Sequence, residues 1–121
     1  MSVQKYQDLV VWQKSMQLVK TIYQLTKRLP KEETYALSDQ MRRAAVSIPS
    51  NIAEGYERNS KKEYIYFLSL AKGSNSELRT QLQISVDIGY FEADDIQEAI
   101  GASDEVSKML RVMITKLNPK P

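Results

Sequence analysis

The sequence contains no cysteine and no histidine. Their absence excludes disulfide bonds, thiol chemistry, the usual zinc sites and the side chain that most often serves as a general base. A di-iron helical bundle would need Glu-x-x-His pairs, so only a metal site built from oxygen ligands stays open. We predict no metal, no cofactor and no catalytic residue. An enzyme would need carboxylates such as Glu54 and Glu77 in one cleft, and nothing in the sequence places these two together.

Long apolar runs are also missing. None approaches the about 20 residues that cross a bilayer, and the N-terminus lacks the apolar segment of a signal peptide. We therefore expect a cytoplasmic protein that does not contact a membrane. The sequence also shows no β-strand pattern, no internal repeat and no low-complexity segment. A chain of 121 residues fits one domain, 1–121, that can bury a hydrophobic core.

Helical periodicity is present in four segments. Pro30, Gly89 and the Asn118-Pro119 pair mark helix ends, and Ser60 begins a capping box for the third helix. The predicted helices cover residues 8–29, 36–56, 60–89 and 94–117. Because their connections are short, the sequence predicts an all-α fold, an up-down-up-down antiparallel four-helix bundle.

The first helix carries two adjacent apolar stripes, which together are wider than one core-facing side needs. The first stripe is Leu9, Trp12, Met16, Val19, Tyr23 and Thr26, and the second is Val11, Leu18, Ile22, Leu25 and Leu29. Either the helix is wedged between its neighbours, or the second stripe meets another subunit. The sequence leaves both interpretations open.

The most unusual segment is 40–55, where helical spacing includes two adjacent arginines, a proline and several small polar residues. The second arginine lies nearer the edge of the buried side, which favours a structural polar cluster. Its predicted members are Gln40, Arg43, Glu77 and Gln81, with Arg43 and Glu77 as an ion pair. The alternatives are an arginine that reaches a phosphate and simple exposure to solvent.

Pro49 removes a backbone donor from the second helix, so we predict a kinked second helix that curves around the core. The alternative is an exposed polar notch formed with Ser47, Ser50 and Asn51, whose side chains can hydrogen bond locally. Gly55 is expected to mark the fraying end of this helix.

Charge is unevenly distributed although the formal net charge is only +2. Residues 81–105 hold seven acidic residues and no basic one, whereas 106–121 hold four basic residues and no acidic one. In an antiparallel bundle one end gathers Lys5, Arg58, Lys61, Lys62, Arg111, Lys116 and Lys120, which we call the basic end. Its candidate nucleic-acid-binding residues are Arg58, Lys61, Lys62, Arg111 and Lys116. The opposite, acidic end gathers Glu32, Glu33, Glu92, Asp94, Asp95 and Glu98.

The chain also resembles a known family, and the resemblance covers nearly its whole length. It is carried by Leu9-Val10-Val11-Trp12, Ile22-Tyr23, Glu33-Thr34-Tyr35-Ala36-Leu37, the segment 40–55, Arg58, Ser60, Lys62-Glu63, Phe67-Leu68, Ala71-Lys72-Gly73-Ser74, Glu77-Leu78, Thr80-Gln81-Leu82 and Gly89-Tyr90. The family is that of the bacterial 23S rRNA intervening-sequence proteins, four-helix bundles also labelled ribosomal-protein-like. Ala36 departs from the pattern, which often has glycine there.

The resemblance implies a homo-oligomer, specifically a ring-shaped homopentamer, and no firmly attached biochemical activity. The leading expectation is a non-enzymatic binding or scaffolding protein that acts on RNA or a ribonucleoprotein. The alternative is a protein–protein interaction adaptor that forms a homo-oligomeric ring without binding nucleic acid.

Overall fold

The computed structural model describes residues 3–118, and helices dominate this stretch without any strand. The four long helices are α1 (Val10–Thr26), α2 (Leu37–Tyr56), α3 (Lys61–Asp87) and α4 (Gln97–Leu117). Short 3₁₀ turns precede three of them, at Tyr6–Asp8, Lys31–Glu33 and Ala93–Ile96. The predicted all-α four-helix fold is confirmed.

The helices pack in a cycle, because α1 and α3 each contact both α2 and α4. Thr26 at the end of α1 meets Arg42 near the start of α2. Gly55 near the end of α2 lies beside Phe67 near the start of α3. These contacts join the neighbouring ends of consecutive helices, and the up-down-up-down topology stays a prediction.

Local chemistry sets the helix boundaries. The Ser60 hydroxyl accepts a hydrogen bond from Glu63 N–H at 3.0 Å, as the capping box predicts. The same hydroxyl donates to the Glu63 carboxylate, which therefore bonds to the Ser60 side chain and not to the Ser60 backbone N–H. At the other end of α3, Gly89 adopts a φ of 98°. The N–H of Tyr90 then reaches back to the Ser85 carbonyl at 3.0 Å, which closes the helix in a Schellman motif.

The first and last helices are shorter than predicted. Leu9 is extended and α1 begins after it, whereas Arg28 and Leu29 form a tighter turn by bonding to carbonyls three residues earlier. The predicted start of the fourth helix is the 3₁₀ turn Ala93–Ile96, which has Glu92 as its cap. Helix ends commonly tighten in this way, because the terminal backbone groups lack α-helical partners.

Gly55 lies in the last turn of α2, where the helix end is predicted, but it is buried and lacks the positive φ of a glycine that terminates a helix. A Cβ atom at this position would lie 2.7 Å from the Cβ of Phe67. The glycine therefore allows α2 and α3 to approach closely where they converge on their short connection. The predicted role of Gly55 was wrong, since close packing and not helix termination requires it.

Pro49 lies within a helix that continues from Leu37 to Tyr56, and its ring is buried. Asn51 donates to the Ser47 carbonyl at 2.8 Å and to the Ser47 hydroxyl at 2.9 Å. The Ser47 hydroxyl also lies 2.8 Å from that of Ser74 on α3. These polar side chains therefore join α2 to α3, and the kink at Pro49 stays a prediction.

Candidate functional site

The predicted pair between Arg43 and Glu77 is wrong. Arg43 Nε instead donates to Asp39 Oδ2 at 3.0 Å, one turn earlier on the same helix, and the Arg43 side chain is 79% exposed. Glu77 is exposed on α3 and makes no ion pair with another described residue. Arg43 pairs with Asp39 because a carboxylate four residues away on the same helix is within reach, whereas Glu77 lies across on α3.

The other two members of the predicted cluster lie apart in environment. Gln40 is exposed, whereas Gln81 is buried and its Oε1 atom has no hydrogen-bond partner. Because Gln81 Oε1 has no partner, Gln81 does not complete an ion pair, and its unpaired buried acceptor destabilises the fold. The cluster Gln40, Arg43, Glu77 and Gln81 therefore does not form as a unit.

Arg42, the first arginine of the motif, is the one held in place. Its Nε donates to Thr26 Oγ1 at 2.8 Å, and its guanidinium carbon lies 4.7 Å from the centre of the Tyr23 ring. The two terminal amino groups make no hydrogen bond to a described residue. An arginine fixed by a hydroxyl and an aromatic face presents an oriented fork that matches a carboxylate or a phosphate.

The two stripes of α1 have the opposite roles from the subunit-contact hypothesis. The second stripe, Val11, Leu18, Ile22, Leu25 and Leu29, is buried in the core. In the first stripe, Trp12, Met16 and Val19 are half-buried and Tyr23 is exposed. The stripe that another molecule can reach is therefore the first one.

The accessible stripe forms one wall of the α1/α2 groove, which consists of two adjoining cavities. One has a volume of about 300 Å³ and is lined by Tyr6, Trp12, Met16, Val19, Val46, Pro49, Ser50 and Ala53. The other has a volume of about 550 Å³ and is lined by Tyr23, Asp39, Arg42, Arg43, Val46 and Ser47. Val46 lines both cavities, so it forms a ridge between an apolar half and a cationic half.

A separate apolar cavity of about 410 Å³ lies between the start of α1 and the end of α4. It is lined by Leu9, Val10, Val11, Lys108, Met109, Val112 and Met113. Val10 and Val112 are half-exposed at its rim. Sequence reasoning missed this cavity because the two walls are about 100 residues apart in the chain.

At the basic end, Arg58 is occupied by its neighbours. It pairs with Glu54 at 2.7 Å and with Glu63 at 3.4 Å, and it lies over the Phe67 ring at 4.7 Å. Two carboxylates offset its charge, so Arg58 is a poor candidate for a phosphate contact. It helps to join the end of α2 to the start of α3.

The remaining candidates at the basic end are exposed and available. Lys61, Lys62, Arg111 and Lys116 make no ion pair with another residue of the described range 3–118. Lys5 is also exposed, whereas Lys120 lies outside the described residues. Nucleic-acid binding by the four available cations stays a prediction.

Two polar contacts hold the acidic end together. Tyr90 O–H donates to Glu33 Oε2 at 2.7 Å, while Glu33 Oε1 accepts from Leu37 N–H. The hydrogen bond from Tyr90 lowers the pKa of Glu33, and the same bond raises the pKa of Tyr90 to about 12. Arg28 pairs with Asp95 at 2.9 Å and lowers the pKa of that carboxyl.

A buried polar pair joins α3 to α4. Asn75 Nδ2 donates to the Ser103 carbonyl at 2.9 Å, and the Ser103 hydroxyl donates to Asn75 Oδ1 at 2.7 Å. Both residues are almost fully buried, at 1% and 0% exposure. The sequence carries a signal for this contact, since Asn75 occupies an inward position between Ala71 and Leu78 at helical spacing.

Within residues 3–118, no group of three or more acidic side chains is arranged to hold a metal ion. The helices of this part of the chain are too polar or too short to cross a membrane.

Comparison with known proteins gives a consistent result. The family model described as 23S rRNA-intervening sequence protein matches residues 7–112. The chain is also similar to a crystal structure of a protein with unknown function from the S23 ribosomal protein family from Bacteroides thetaiotaomicron VPI-5482, at 27% sequence identity and a TM-score of 0.81. That match covers 87% of this chain and 98% of the other. No curated protein matches the chain.

Proposed function

The chain belongs to the 23S rRNA-intervening sequence protein family, and on this premise we propose that it is a non-enzymatic cytoplasmic scaffold that binds RNA or a ribonucleoprotein through its basic end. The observation that carries the proposal is the placement of Lys61 and Lys62. Both are exposed at the N-terminus of α3, where the helix dipole disfavours cations, and neither has an ion-pair partner among the described residues. Two lysines at this position destabilise the helix N-terminus slightly, but they can bind phosphate groups of an RNA backbone.

The expected binding is electrostatic and modest for a single chain. Lys61, Lys62, Arg111 and Lys116 supply at most four phosphate contacts. For a single-stranded nucleic acid, four released counterions give a slope of about −3 in log K against log salt concentration. Copies that gather their basic ends side by side would raise both the affinity and the slope.

Filter binding of a mixed-sequence single-stranded RNA oligonucleotide, across a salt series, tests the proposal. The variant Lys61→Glu with Lys62→Glu is expected to weaken binding and make the salt slope less steep. The matched control is Lys20→Glu with Lys27→Glu, which changes the net charge equally at two exposed lysines away from the basic end. Equal affinities for the two variants, or an affinity insensitive to salt, would refute RNA binding through this end.

A second candidate function is a protein–protein interaction adaptor that forms a homo-oligomeric ring without nucleic acid. Large apolar side chains on the outer face of α3 favour it, together with the α1/α2 groove. By family resemblance the ring would contain five subunits. The mass of the native particle by analytical ultracentrifugation tests for the ring, and the absence of co-purifying RNA at low salt separates this function from the first.

A further inference from the structure

The outer face of α3 presents an apolar row that the chain itself does not cover. Tyr66 and Ile88 are 59% and 56% exposed, and Leu70 and Ile84 are each 39% exposed. Gly73 and Glu77 lie between them at helical spacing. We call these six residues the α3 stripe.

The glycine in this stripe has no packing role inside the chain. A Cβ atom built on Gly73 meets nothing within 4 Å, in contrast to Gly55. Glycine inside a helix costs about 1 kcal/mol relative to alanine. A position that has this cost and faces open space is suited to the close approach of another molecule.

The wall of the α1/α2 groove on α2 has the same spacing as the α3 stripe. Arg42, Val46, Pro49 and Ala53 are separated by intervals of four, three and four residues. Read backwards along α3, Glu77, Gly73, Leu70 and Tyr66 are separated by the same intervals. Intervals of four and three are those of a seam between two packed helices.

The two rows match in chemistry at every step. Glu77 has no ion pair and Arg42 has two unused amino groups, among the described residues. Gly73 leaves space for the exposed ridge of Val46.

The remaining steps of the match are apolar. Leu70 falls at the level of Pro49, beside Met16 and Val19 in the apolar half of the groove. Tyr66 falls at the level of Ala53, which shares that cavity with Trp12. The large side chains of Leu70 and Tyr66 thus fall opposite the apolar cavity, and Gly73, which has no side chain, falls opposite the ridge of Val46.

We propose that the α3 stripe of one copy of this chain seats in the α1/α2 groove of a second copy, with Glu77 paired to Arg42 of the partner subunit. This inference rests on the second proposed function, self-assembly, and is independent of RNA binding. It assigns the unused fork of Arg42 to a carboxylate of the same sequence.

The matched intervals also set the orientation of the copies. Running α3 against the direction of α2 places the basic ends of both copies on the same side. Ile84 and Ile88 then fall at the level of the connection between α1 and α2, where Tyr35 is 94% exposed. Since each copy carries both surfaces, the contact is heterologous and builds a ring or a filament.

The surfaces are large enough for a stable contact. The stripe from Tyr66 to Ile88 is about 33 Å long at 1.5 Å per residue, and two helices side by side are about 20 Å wide. Their product, about 660 Å², lies at the lower end of the about 600–1,000 Å² per partner that standard interfaces bury.

Sedimentation equilibrium of the full chain over a range of concentrations tests the proposal. Wild type is expected to self-associate, and Glu77→Arg is expected to raise the dissociation constant by at least about 30-fold, the effect of losing one central charged contact. Gly73→Gln is expected to do the same by obstructing the approach to Val46. Both positions are exposed, so circular dichroism should show an unchanged helix content.

Two further variants make the test specific. Gly101→Gln is the matched control, because a Cβ atom on Gly101 of α4 also meets nothing within 4 Å, and this variant should assemble like wild type. Arg42→Glu combined with Glu77→Arg reverses the pair and should recover assembly lost in Glu77→Arg alone.

The outcomes separate this inference from the function on which it rests. A monomeric wild type would overturn both, and would leave the groove to a different protein partner. A wild type that assembles while Glu77→Arg and Gly73→Gln assemble equally well would overturn only this inference. Assembly lost equally in Gly101→Gln would also overturn it.

Discussion

Ser103→Ala is expected to lower the free energy of unfolding by about 2 kcal/mol, although it removes only one oxygen atom. The Ser103 hydroxyl is the donor that satisfies Asn75 Oδ1, at 2.7 Å in a fully buried position between α3 and α4. Removing it leaves a buried acceptor unpaired, which costs about 1–3 kcal/mol. The methyl group of alanine fits the same space, so no cavity adds to this figure.

The double-mutant cycle sharpens the expectation. Asn75→Ala removes the amide and opens a small cavity, at a cost of about 2–3 kcal/mol, because the Ser103 hydroxyl then loses its acceptor. In the double variant no side-chain polar group of the pair is left unpaired, and the backbone carbonyl of residue 103 loses the Asn75 donor in both variants that lack Asn75. The double variant should therefore cost about 1 kcal/mol less than the sum of the two single variants.

Urea denaturation followed by circular dichroism measures these differences at one fixed chain concentration, because self-association would raise the apparent stability. The matched control is Ser76→Ala, an exposed serine on α3, which should change the free energy by less than about 0.5 kcal/mol. If Ser103→Ala behaved like Ser76→Ala, or the cycle showed no coupling, the buried pair would not be what joins these helices.

Two further predictions concern backbone space and pH. Gly55→Ala should destabilise the fold by about 1–3 kcal/mol, because the new Cβ would lie 2.7 Å from that of Phe67. Gly101→Ala, in open space, should stabilise the fold by up to about 1 kcal/mol. Thermal unfolding compares the two variants, and equal shifts in their melting temperatures would contradict the packing argument. The contact of Tyr90 with Glu33 should stabilise the protein between about pH 5 and pH 10. Its contribution falls as acid protonates Glu33, whose pKa is lowered, and as base ionises Tyr90, whose pKa is about 12. Tyr90→Phe should therefore make stability depend less on pH on both the acidic and the basic side. A stability curve with the same pH dependence as wild type would contradict the assignment.

Local signals were enough to predict the helices. The periodic apolar residues predict four amphipathic segments. The Ser60 cap lies at the start of α3, and the Gly89 stop lies just after its end. These features depend on residues within one or two turns of each other, so a single sequence contains them. Boundaries were less accurate at α1 and α4, because their first and last turns tighten into 3₁₀ geometry.

The partners of individual side chains could not be predicted in the same way. Arg43 and Arg42 differ by only about 100° around α2, and this angle decides between Asp39 on the same helix and Thr26 on α1. Both stripes of α1 have helical spacing and mostly apolar residues, so the pattern alone leaves their roles open. Only the positions of α2 and α4 determine which stripe is buried and which lines a groove.

The sequence by itself determined the fold class, the helix count and the family, because these follow from short-range periodicity and from a motif that spans most of the chain. The tertiary structure alone decided that Gly55 serves close packing, that Asn75 and Ser103 join two helices, and that Arg42 keeps an unused fork beside Tyr23. The physical reason is that burial, hydrogen bonding and exposure depend on the distance between segments far apart in the chain. Those distances are fixed only when the four helices pack together.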